Sequence, residues 1–130
     1  MKILNRIKKV AVAGTVIPKP MSSQGYVVVG WGISRGEEAL VYRIPTKTGA
    51  GKASTKRVPS SVFEAADAVL AATGEITHSW FATAFPQVHA DGACNFTTLG
   101  GVFELLGEVV YAEPGRYRRP AALKNESAVG

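Results

Sequence analysis

From Ser61 onward the apolar residues recur at helical spacing. Val62, Phe63, Ala66, Val69 and Leu70 fall on one face and predict a helix over residues 61–73. Ser61 and Glu64 have the spacing of a capping box, and Gly74 is placed to end the helix. Thr77 can cap a second helix over 77–85, whose apolar side is Ile76, Trp80, Phe81 and Phe85, and Pro86 should stop it. Gln87 to Gly92 reads as a polar link. Leu99, Val102, Phe103 and Leu106 predict a third helix over 97–106, capped by Asn95 or Thr97 and closed by Gly107. Val109, Val110 and Tyr111 then read as a strand. Glu113-Pro114-Gly115 fits a type II turn, and Arg116-Tyr117-Arg118 returns, so 108–111 should pair with 116–119.

Upstream the period changes to two. Tyr26 to Ile33 is rich in valine and aromatics, with Gly30 and Gly32 marking a bulge or a close backbone approach. Ser34-Arg35-Gly36 is turn chemistry, and Leu40, Tyr42 and Ile44 alternate with Val41 and Arg43. Residues 26–44 therefore predict an antiparallel hairpin that Pro45 ends. Ala53 to Val58 can add a third strand, with Ser54 and Lys56 on one face. Residues 1–24 read as an arm in which Ile3, Leu4 and Ile7 could dock one helical turn, and residues 121–130 as a disordered tail. The expected fold is α+β, with one domain over 25–120. An N-terminal hairpin or three-stranded sheet (25–58) precedes a three-helix module closed by a hairpin (59–120).

Three helices followed by a basic hairpin resemble the winged helix-turn-helix superfamily over residues 61–119. The resemblance implies DNA binding, with the third helix entering the major groove and the hairpin, or wing, touching the backbone. Asn95, Thr97 and Thr98 would then contribute from the start of the third helix, where free N–H groups attract phosphate. Arg116, Arg118 and Arg119 would contribute from the wing.

Charge adds a second surface. Residues 1–59 hold eleven Lys/Arg against Glu37 and Glu38, whereas residues 60–130 hold four against eight acids, which together give the net +5. A basic front on an acidic body suits a polyanion on one side. The densest basic stretch carries Lys47, Lys52, Lys56 and Arg57 among Ser54, Thr55 and other hydroxyls, the combination that phosphate contact requires. The alternative for this stretch is a solubilising loop. No Lys or Arg lies between Arg57 and Arg116, so discrimination between base sequences should be poor. Gly100-Gly101 inside a helix costs about 1 kcal/mol per residue against alanine, which close helix packing, the preferred reading, or close approach to a phosphate backbone would offset.

Catalytic patterns are weak. Gly49-Ala50-Gly51-Lys52 lacks the upstream glycine and the following Ser or Thr of a nucleotide loop. His78, His89 and Cys94 match no metal-ligand spacing, and a Cys94–His89 nucleophile pair has no orienting third group. Glu104 and Glu108 read as a solvent-facing pair at a helix end. No catalytic residue, metal or cofactor is therefore expected. A lone cysteine suits a reducing compartment, no run is apolar enough to span a bilayer, and Met1 to Ile17 only faintly imitates a secretion signal. The expected protein is cytoplasmic, non-enzymatic and bound to nucleic acid, with DNA as the first choice. The alternative is a protein-interaction module of the same fold without nucleic acid.

Overall fold

One helix runs between two antiparallel sheets, and a pair of glycines lets it touch both. The computed structural model describes residues 2–20, 25–45 and 54–120. Lys47, Lys52 and the tail 121–130 lie outside them. The fold is α+β, as the residue pattern predicts. Helix α1 (Ile3–Val10) is followed by β1 (Val16–Ile17), β2 (Tyr26–Ser34), β3 (Glu37–Ile44) and β4 (Ser54–Pro59). Next come α2 (Ser60–Thr73), β5 (Glu75–Thr77), α3 (His78–Ala84), α4 (Pro86–Asp91) and α5 (Cys94–Leu105). Strands β6 (Val110–Glu113) and β7 (Arg116–Arg118) close the chain. The first sheet has the order β1-β2-β3-β4 and the second β5-β7-β6.

Helix α5 lies in the core. Of its twelve residues eight are buried and none is exposed. A Cβ on Gly100 would lie 2.1 Å from the Tyr117 ring of β7, and one on Gly101 would lie 2.5 Å from Ile17 of β1. The glycine pair is thus explained by packing, one residue against each sheet. Phe63, Leu70, Phe81, Leu99, Val102, Phe103 and Tyr117 are fully buried around it, and Val69, Trp80 and Leu106 pack partly buried at its margin.

Several expectations hold and several are corrected. Gly74 caps α2 in the left-handed conformation (φ 81°), and the Thr77 hydroxyl accepts from the Trp80 N–H at 3.2 Å. Gly115 at the wing turn has φ 80°. The start of α2, however, is not held by a capping box. The Glu37 carboxylate on β3 accepts from the Ser61 N–H at 2.8 Å and from the Ser60 and Ser61 hydroxyls at 3.1 Å each. Pro86 does not lead into a link: it opens α4, where its missing N–H costs nothing, and the break falls at Phe85. The third helix begins at Cys94, so Asn95 and Thr97 lie inside it and do not cap it. Finally, the expected arm supplies α1, with Ile3 and Ile7 buried, and β1, which extends the first sheet beside β2.

Candidate functional site

Register decides which face of the first sheet meets solvent. Val28, Tyr42 and Lys56 are neighbours across β2, β3 and β4, as are Trp31, Leu40 and Val58. Burial of Val28, Tyr42, Leu40 and Val58 makes theirs the inner face. Opposed residues share a face, so Val27, Arg43 and Thr55 form one outer row and Gly30, Val41 and Arg57 the next. Arg43, Thr55 and Arg57 are all exposed there. Arg43 was not singled out from the sequence, because pairing across the β3–β4 connection is needed to see it beside Thr55.

The edge of this sheet bends back on itself at a two-residue turn. Arg35 and Gly36 both have positive φ (49° and 81°), as a type I′ hairpin turn requires. The turn curls over β4, and a notch of about 430 Å³ forms between Ser34, Arg35, Thr55, Lys56, Arg57 and Asp91. Arg57 lies across Gly32 and donates from Nη1 to the Ile33 carbonyl at 2.6 Å. Lys56 crosses to the α4–α5 connection and donates to the Asp91 carbonyl at 2.7 Å. Arg35 donates to the Asp91 carboxylate at 3.1 Å and to Gln87 Oε1 at 3.2 Å. Three cations and one carboxylate thus line the notch, and of the three Arg35 is the one paired with that carboxylate. Ser54, at the start of β4, is exposed.

The β6–β7 hairpin is electrostatically different. Arg116 pairs with Glu75 and with Glu113 at 3.7 Å, and Arg118 pairs with Glu113 at 3.8 Å. The hydrogen bond to Glu75 raises the Arg116 pKa above its ordinary value. Arg119 lies at the other end of the strand, its N–H bonded to the Gly74 carbonyl at 3.0 Å. Tyr117 points inward, and burial pushes its hydroxyl pKa up. Two of the three hairpin arginines are therefore paired with acids of their own sheet.

The start of α5 is corrected further. Asn95 and Thr98 are fully buried. Asn95 Oδ1 accepts from the Tyr42 hydroxyl at 2.6 Å, and its Nδ2 donates to the Val88 carbonyl at 2.9 Å. Asn95 joins sheet and helices in the core and is not available to a ligand. Thr97 is half-buried, with its hydroxyl on the Cys94 carbonyl. A helix without an exposed residue cannot enter a DNA groove.

Between the wing and the start of α5 lies a groove of about 840 Å³. Phe96, Tyr111 and Pro114 give it apolar walls, and Lys19, His78 and Arg116 its polar ones. Asp91 lines the notch and Ala93 lines the groove, so the two hollows flank the α4–α5 connection. His78 and His89 pack edge to face at 4.8 Å, and His78 also packs on Phe96. Cys94 is elsewhere, 3.2 Å from the Tyr42 hydroxyl. Among the described residues no three His, Cys, Asp or Glu side chains come close enough to hold a metal ion. Among them, too, no helix is long and apolar enough to cross a membrane. Comparison with protein-family models, curated proteins and solved structures found no match.

Proposed function

We propose that the protein binds nucleic acid, duplex DNA first, by the phosphate backbone and without reading bases. The contact surface is the outer face and edge of the first sheet, with Arg43, Thr55 and Arg57 on the face and Arg35 and Lys56 at the notch. One observation carries this reading: the β4 edge gathers three cations and two hydroxyls against a single carboxylate. Lys47 and Lys52 fall in the sequence between β3 and β4 and add charge to the same segment. The order of helices α2 to α5 closed by the β6–β7 hairpin, with Tyr117 of β7 packed on α5, is what supports a kinship with winged-helix domains. In this reading the buried α5 makes no groove contact and the first sheet supplies the surface.

Random duplex should be shifted at low salt, and log affinity should fall with log salt by about 0.9 per neutralised phosphate. Arg43→Ala with Arg57→Ala should lower that slope by about two. Arg116→Ala with Arg118→Ala should lower it by less than one, since those charges are already paired. An unshifted duplex at micromolar protein and low salt would sink the proposal.

A protein partner is the second reading. Its support is the groove between wing and α5, which mixes apolar walls with Lys19 and His78. Failure of the wild-type protein to retain nucleic acid of any sequence at low salt would favour it.

A further inference from the structure

We infer that the notch between the β2–β3 turn and the β4 edge is a phosphate-binding site, built to hold one phosphate group. The inference deepens the backbone-binding reading and rests on it in one respect, that these cations meet phosphate oxygens.

Three features distinguish the notch from scattered surface charge. Arg57 is held in place before any ligand arrives. Its guanidinium lies over Gly32, where a Cβ would come 3.1 Å from Nη1, and one N–H is fixed on the Ile33 carbonyl. Among the described residues the other donors of its planar fork, whose shape matches phosphate, have no partner. Lys56 is held similarly, with one of its three ammonium donors on the Asp91 carbonyl. Finally, Arg35 occupies the first central position of a type I′ turn, where asparagine, aspartate or glycine is preferred because φ must be positive. An arginine there strains the turn, and its side chain reaches the carboxylate that lines the notch. A residue that weakens its own turn while placing a cation beside two others is accounted for by what the cations bind.

Asp91 sets the selectivity. It orients Arg35, and it opposes an incoming anion. A dianionic phosphate monoester can outbid it for Arg35 more readily than a singly charged diester can. Such a group could be the end of a nucleic-acid strand or part of a free phosphorylated small molecule. Ser34 and Thr55 on the rim can donate to the remaining oxygens.

The test is an NMR titration of the full chain with inorganic phosphate, at constant ionic strength against chloride. Saturable shifts should be confined to residues around 33–36, 55–57 and 91. Arg57→Gln should weaken binding by about three- to fivefold, and Asp91→Asn should tighten it by a similar factor. Gly32→Ala should weaken it slightly with no charge removed, since the new methyl would press on Arg57 Nη1 at 3.1 Å and on Val41 at 3.2 Å. Arg35→Asn should raise the melting temperature while lowering phosphate affinity, a pairing that a structural role alone would not produce. Two competition arms separate the sources. Displacement of phosphate by an oligonucleotide bearing a 5′-phosphate, and not by the same strand with a 5′-hydroxyl, supports the notch, assigns it to strand ends and leaves backbone contact to the outer face of Arg43 and Arg57 alone. Binding of phosphate without competition by either strand supports the notch, assigns it to a small molecule and overturns the backbone reading. Shifts that match chloride, or an Asp91→Asn variant that binds no better than wild type, overturn the inference.

Discussion

Single residues in this molecule are fixed by what touches them on two sides. Gly100 and Gly101 are the clearest case. A methyl at Gly100 would sit within 2.5 Å of three Tyr117 ring atoms, and one at Gly101 would meet the Pro18 carbonyl at 2.6 Å as well as Ile17. The helix propensity gained by alanine, about 1 kcal/mol, is smaller than the usual 1–3 kcal/mol of overpacking. Gly100→Ala and Gly101→Ala should each therefore destabilise the fold in urea melts. An unchanged midpoint would mean that Tyr117 or β1 moves aside freely. Glu37 gives a second prediction. Burial works to raise its pKa, but the bonds from the Ser61 N–H and the Ser61 and Ser60 hydroxyls outweigh it and leave the pKa lowered. A carboxylate with a lowered folded pKa adds stability above its unfolded value and loses it as pH falls through the folded one. Glu37→Gln should thus lose less stability than wild type between about pH 6 and pH 3. Equal losses would show that the α2 start does not depend on that charge.

At the level of elements, most of the plan was legible in the chain. Periods of 3.6 and 2 located α2, α3, α5 and the β2–β3 hairpin, because each buries one face against the core. Phe103 shows how firmly: it is fully buried on α5. Its replacement by alanine should cost about 3–5 kcal/mol in equilibrium unfolding, and a loss below about 1 kcal/mol would contradict that burial. What could not be read was tertiary. The cap on α2 comes from a strand twenty-four residues earlier, at Glu37. Pro86 can stop one helix or start the next, and only the fold of Phe85 decides. Asn95 and Thr97 resemble caps in sequence, yet the helix begins one residue before the first of them. The site was legible in part. Thr55, Lys56 and Arg57 were visible as a basic stretch, whereas Arg35 and Arg43 join them only through turn geometry and strand register. Pairing of the wing arginines with Glu75 and Glu113 likewise depends on β5 lying beside β7.

Over the whole molecule, the basic and acidic halves of the chain do not stay apart. Arg6 meets Glu108, Lys8 meets Glu38, and Arg35 meets Asp91, so two of these three bridges join the first sixty residues to the last seventy. Side chains in these bridges are partly exposed, and each contributes little alone. The apolar contacts of α5 with both sheets matter more. A fragment covering residues 60–120 would lose β1 and β4 from one side of α5, including Ile17, which packs against Gly101. That fragment should show no cooperative urea transition, whereas the full chain should show one. A sharp transition in the fragment would mean that the α2–α5 module is self-sufficient. The same placement of α5 has a consequence for synthesis. On the ribosome strands β2–β4 emerge before α5 does, so the part of their inner face that α5 covers, with Tyr42 at its centre, must wait for its partner. During that interval the growing chain presents an apolar strand surface to every other molecule in its surroundings. A chaperone that holds exposed sheet faces would meet this protein early, and slowing translation between Pro59 and Cys94 should increase its loss to aggregation.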